Sequence, residues 1–211
     1  MATSNRNILI VGDSFVAEDF KHPFTWWNKI SYDLGCQTIN LGISGASNFN
    51  IWHQIMHAKQ NYEFDKVIVT LTRPNRVEKV LVNDYDHWPI VETHFEDFTN
   101  DKIKSWAIHE WIVDGDYPME VMEKFSPMPL AISRDRIVVN DIVTQLSEYS
   151  SCIMNNLFTE YTDNIEDIDI RAYSDVVTGV LDEGECGHLY ESMHQKFYDD
   201  YGHRIKSLLQ K

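Results

Sequence analysis

Apolar and polar positions alternate between two rhythms along the first third of the chain. Residues 8–11, Ile8-Leu9-Ile10-Val11, are an unbroken apolar run closed by Gly12-Asp13-Ser14. A run this short, ended by a turn, predicts a buried strand and not a helix. Over residues 24–34 the rhythm changes: Trp27, Ile30 and Leu34 recur at helical spacing, and Gly35 is placed to end the helix. Residues 38–41 predict a second short strand, and residues 48–61 a second helix with Ile51, Ile55 and Ala58 on one face. Residues 66–71 (Lys66-Val67-Ile68-Val69-Thr70-Leu71) predict a third strand, β-branched and apolar. The order β-α-β-α-β with short connections implies a parallel sheet with right-handed crossovers.

Beyond residue 75 the pattern loosens. Residues 75–128 are rich in Trp, His, Asp and Pro and read as an irregular insertion with one or two helices, one at about residues 101–113. Residues 130–149 predict a long helix, residues 152–158 a fourth strand and residues 190–209 a terminal amphipathic helix. Residues 165–180 fit neither period. No internal repeat and no Pro/Gly/Ser-rich linker divides the chain, so residues 1–211 read as one domain.

Composition narrows the function. With 18 basic and 33 acidic residues the formal net charge is −15, which repels phosphate backbones and anionic membranes; no nucleic-acid or membrane partner is expected. Cys36, Cys152 and Cys186 are odd in number and widely spaced, which suits a reducing compartment. There is no apolar stretch near the roughly 20 residues a membrane helix needs, nor a signal-peptide pattern. A cytoplasmic location is therefore expected.

Three elements could carry chemistry. Ser14 follows the first strand, where open α/β sheets bind ligands. Its hydroxyl becomes a nucleophile only if a base takes its proton and donors hold the oxyanion; the next helix could lend N–H groups and a positive dipole end. Asn40-Leu41-Gly42-Ile43-Ser44-Gly45 again lies between strand and helix, where a glycine N–H can face an oxyanion. His188 lies just ahead of the terminal helix, with Glu185 three residues earlier to orient it and Asp182 as a second possible acid. Each element alone has a plainer explanation: a helix cap, a turn glycine, a surface histidine.

Taken together, Gly12-Asp13-Ser14, Asn40…Ser44-Gly45 and the acid-x-x-His element resemble the SGNH (GDSL-type) hydrolases in order and rough separation along nearly the whole chain. The resemblance implies a three-layer α/β/α sandwich with a central parallel sheet of four or five strands, flavodoxin-like. It implies no cofactor, and a small-molecule or carbohydrate ester as substrate. Carried over by motif, Ser14 would be the nucleophile, His188 the base and Glu185 the acid. The N–H groups of Ser14 and Gly45 would form part of the oxyanion hole. The family's third block, Gly-x-Asn-Asp, is altered: Pro74 falls at the donor position and Asn75 one residue later, so Asn75 or Arg73 would supply that donor. Glu185 stands where the family has Asp. The competing expectation is an SGNH-fold binding or structural protein with impaired catalysis.

Weaker patterns remain. His53 and His57 are one helical turn apart, a possible metal pair without a third ligand at diagnostic spacing, so no metal site is assigned. Asp84-Tyr85-Asp86-His87 could bind a cation or form a solvated loop. Trp26, Trp27, Trp88, Trp106 and Trp111 could stack on a sugar or fill the core. Arg73 and Arg76 could grip a carboxylate or phosphate, or pair with Glu78 or Asp13. His194 is expected to pack near the site.

Overall fold

The computed structural model describes residues 7–17, 24–44, 46–72, 128–154, 165–174, 189 and 191–211. Four strands, β1 (Asn7–Val11), β2 (Gln37–Asn40), β3 (Lys66–Thr70) and β4 (Ser150–Met154), pair in parallel in the order β2-β1-β3-β4. Register runs from Asn7 opposite Gln37 to Ile10 opposite Asn40, and Val11 lies opposite Val69. One further parallel bridge joins Met154 to Glu166, so a single residue stands where a fifth strand would begin.

Side chains alternate across a strand, and this sheet buries both faces. Ile8 and Ile10 of β1, Ile68 of β3 and Cys152 and Met154 of β4 point one way. They meet Trp26, Trp27 and Ile30 of helix α1 (Trp26–Leu34) and Phe197 and Ile205 of helix α4 (Glu191–Leu208). Leu9, Val11, Val67, Val69 and Ile153 point the other way. They meet Ile51, Ile55 and Ala58 of helix α2 (Asn48–Asn61) and Val139, Ile142 and Leu146 of helix α3 (Met128–Gln145). Two-sided burial is why the strands read as continuous apolar runs. The result is three layers, α1 with α4, the sheet, and α2 with α3, as the sequence implied.

Local chemistry sets the element ends. Thr25 takes the extended N-cap conformation ahead of α1, so the helix opens at Trp26 and not at Phe24. Gly35 ends it at φ 63°, with Gly35 N–H donating to Tyr32 O and Cys36 N–H to Ser31 O, a Schellman closure. Ser47 caps α2 by accepting from Asn50 N–H at 3.2 Å. Helix α3 includes Pro129 in its first turn, where a missing N–H costs nothing. It stops at Gln145, where Ser147 N–H and Oγ both turn back to Thr144 O. The fourth strand begins earlier than its apolar residues suggested: Ser150 and Ser151 extend it against Lys66 and Val67 of β3, and residues 155–158 lie outside the described residues.

Candidate active site

The site begins where β1 leaves the sheet. β1 is flanked by β2 on one side and β3 on the other, so its C-terminal end opens at the point where the strand order reverses. Gly12 has φ 157°, and a Cβ there would stand 1.8 Å from Thr70 Oγ1; only glycine admits β3 this close. The chain then makes one turn: Val16 and Ala17 N–H both donate to Asp13 O at 3.1 Å, and Asp13 Oδ1 accepts from Phe15 N–H at 3.2 Å. From Val11 to Ala17 every residue is buried except Ser14, which is half-buried. The turn thus buries its supports and leaves its serine partly exposed.

Two neighbouring segments brace it. Asn40, at the end of β2, donates from Nδ2 to Val16 O at 2.7 Å and accepts from Gly42 N–H at 2.8 Å. Gly42 itself is required by proximity, since a Cβ there would lie 2.8 Å from Val16 Cγ2. From α2, wholly buried Gln54 accepts from Gly12 N–H at 2.8 Å and donates to Gly12 O at 3.1 Å. A second α2 amide holds the exit of β3. Asn48 Oδ1 accepts from Thr72 N–H at 2.8 Å, and its Nδ2 donates to Thr72 O at 3.0 Å and to Asp135 Oδ1 at 2.9 Å. Asn48 and Asp135 are both buried.

Of the predicted site residues, Ser14 is the one whose position is described. His188, Glu185, Asp182, Gly45, Arg73, Pro74, Asn75 and Arg76 lie outside the described residues, as do residues 75–127 of the expected 75–128 insertion, its helix at 101–113, Asp84 to His87, Trp88, Trp106 and Trp111. Their neighbours are placed: Thr72, just before Arg73, is tied to Asn48, and Leu189, just after His188, is buried in the core on the α1 and α4 side of the sheet. One expectation changes. Helix α1 opens at Trp26, twelve residues after Ser14, and the described residues next to the serine in the chain form the single turn from Asp13 to Ala17. Trp26 and Trp27, 0% and 3% exposed, are core side chains and offer no face to a sugar. His194 is buried edge-on against Trp27, with ring centroids 5.3 Å apart, in keeping with a packing role. His53 lies edge-on to Phe49 and Trp52, and burial pushes its pKa down to about 4. No group of three metal-ligating side chains occurs among the described residues.

Sequence reasoning did not foresee the roles of Gln54 and Asn48. The signal was present: Gln54 falls on the helix stripe of Ile51, Ile55 and Ala58, where a polar residue must be buried and therefore bonded.

At the sequence level no protein-family model matches the chain, and no curated protein does. Solved structures do resemble it. The psychrotrophic esterase EstA from Pseudoalteromonas sp., in a structure inhibited by monoethylphosphonate, superposes with a TM-score of 0.53 at 13% identity over 98% of this chain and 100% of that one. A protein assigned to the lipolytic G-D-S-L family, from Desulfitobacterium hafniense DCB-2, gives 0.46 at 13% identity, covering 95% and 99% of the two chains. A carbohydrate esterase family 2 enzyme with a carbohydrate-binding domain, from Corynascus thermopiles, gives 0.46 at 12% identity, covering 98% and 67%. The sheet order, the two-sided helix packing and the likeness to EstA define an SGNH-hydrolase-like fold. At such identities the likeness concerns the fold.

Proposed function

We propose that the chain is a serine acyl hydrolase acting on a small carboxylic ester, with an O-acetyl group on a carbohydrate as the favoured substrate class. One observation carries this reading: Ser14 is the one partly exposed residue of an otherwise buried turn at the C-terminal end of the central strand. Ser14 Oγ attacks the ester carbonyl carbon while His188 accepts its proton, with Glu185 or Asp182 holding the imidazole. The N–H groups of Ser14 and Gly45, with Asn75 or Arg73, take the oxyanion. The carbon–oxygen bond to the alcohol then breaks as His188 returns its proton to the leaving oxygen. Water adds to the acyl-serine by the same route and releases the acid. No cofactor enters this chemistry.

The test is hydrolysis of p-nitrophenyl acetate by wild type and Ser14→Ala, with intact mass after a fluorophosphonate probe. Turnover that falls by roughly three orders of magnitude or more in the variant, with one adduct on Ser14, is the expected result. Because the base must be neutral to accept the proton, kcat/KM should fall as the pH is lowered, read from a pH–rate profile.

Pro74 at the third donor position favours one other reading, a binding protein on the same fold, since losing one oxyanion donor costs roughly 100- to 1,000-fold in rate. It expects a folded protein with neither adduct nor turnover.

A further inference from the structure

We propose that Gln54 is the positioning residue of the site: its amide fixes the two peptide groups flanking Gly12 and so sets where the Ser14 hydroxyl stands. The inference rests on the reading of Ser14 as nucleophile and names what holds that nucleophile in place.

Four observations carry it. Gln54 is 0% exposed and lies among Ile51, Ile55 and Ala58 on the face α2 turns to the sheet. An apolar side chain would suit that stripe, and a buried amide is costly unless both its halves are bonded. Both halves are spent on one residue: Oε1 on Gly12 N–H and Nε2 on Gly12 O. The same Gly12 O also accepts from Ile43 N–H at 3.1 Å, which fills its second lone pair and joins the β2–α2 loop to the turn. Gly12 is the residue at which β1 stops pairing in the sheet, and its missing Cβ removes the steric restraint that other residues carry there. The amide supplies the restraint that the glycine lacks, two residues before the serine.

The chemistry of the clamp is specific. Leucine neither accepts nor donates. A carboxyl group in that place both accepts and donates while protonated, and repels Gly12 O once ionised. Asparagine has the right groups on a shorter stem.

The experiment compares wild type, Gln54→Leu and Gln54→Glu, each corrected for its folded fraction. Two readouts are taken: amide hydrogen exchange at Gly12, Phe15 and Val16 against Val67 to Val69, and fluorophosphonate labelling of Ser14 as a function of probe concentration and pH. In Gln54→Leu, exchange should speed up locally beyond any change at Val67 to Val69. The maximal labelling rate should fall by roughly 10- to 100-fold, with the half-saturating probe concentration unchanged, as expected for a misplaced nucleophile. In Gln54→Glu, the ratio of variant to wild-type labelling should fall as pH rises, and this second variant decides the matter should Gln54→Leu not fold. Local exchange that merely tracks the strands, with labelling within twofold of wild type and a flat pH ratio, overturns the proposal. Absence of labelling in wild type instead refutes Ser14 as nucleophile and the catalytic half of the proposal with it; the exchange result then still decides whether Gln54 holds the turn.

Discussion

Glycine 12 is the residue on which the geometry of the Ser14 turn depends most sharply. Gly12→Ala puts a methyl group within 1.8 Å of Thr70 Oγ1, and the nearest obstacle after Val16 is Thr70 backbone, which cannot swing aside. We expect a loss of about 3 kcal/mol in chemical denaturation, with turnover falling further than the folded fraction explains. Cysteine reactivity offers a second check. Cys152 is wholly buried, and burial pushes its thiol far above the usual range, whereas Cys36 is half-buried. Iodoacetamide on the native protein should therefore leave Cys152 unmodified, as read by peptide mass. At this scale the sequence was informative about Ser14 and silent about its braces. A serine after an apolar strand announces itself. Gln54 and Asn48 look like the polar side of a helix until the stripe through Ile51, Ile55 and Ala58 is followed to its ends.

Elements were legible wherever burial imposes a period. The strands opening with Asn7 and Lys66 and the helix over Asn48–Asn61 have two-sided or one-striped burial, and their limits agree with the apolar pattern to within about a residue. Legibility failed where backbone bonding, not burial, sets the limit. Ser150 and Ser151 carry no apolar signal yet pair with β3, and α3 ends in a polar turn around Ser147. The two outer helices of one layer are also joined by polar groups that no period reveals. Asp33 of α1 accepts from Lys29 at 2.5 Å, from Lys206 of α4 at 2.6 Å and from the Tyr198 hydroxyl. Such networks at a surface contribute little. Asp33→Asn should cost at most about 1 kcal/mol, against roughly 3–5 kcal/mol for Trp26→Ala in the core beneath, both by urea titration.

For the molecule as a whole, acid should act in two stages. His53 ordinarily titrates at 6.5, and burial lowers it to about 4. The unfolded chain therefore binds a proton that the folded chain refuses, and stability declines as pH falls through that window. Asp33 is held well below the ordinary carboxylate value of 3.8, first by Lys206 and then by Lys29 and Tyr198. Its contribution is complete above 3.8 and is lost at still lower pH, when the unfolded carboxyl protonates first. Melting temperature against pH should show both limbs; His53→Phe should flatten the upper one and Asp33→Asn the lower. The Asn48 bonds have a consequence of another kind. By joining Thr72 to Asp135, they bring together the two ends of the long stretch that runs from residue 73 into α3. A chain segment whose ends are already tied costs little to resize, since closure entropy grows only by about 0.6 kcal/mol per doubling of length. A change of length between those ties should therefore leave the bonds of Thr72 and Asp135, and with them the stability of the sheet, nearly unchanged.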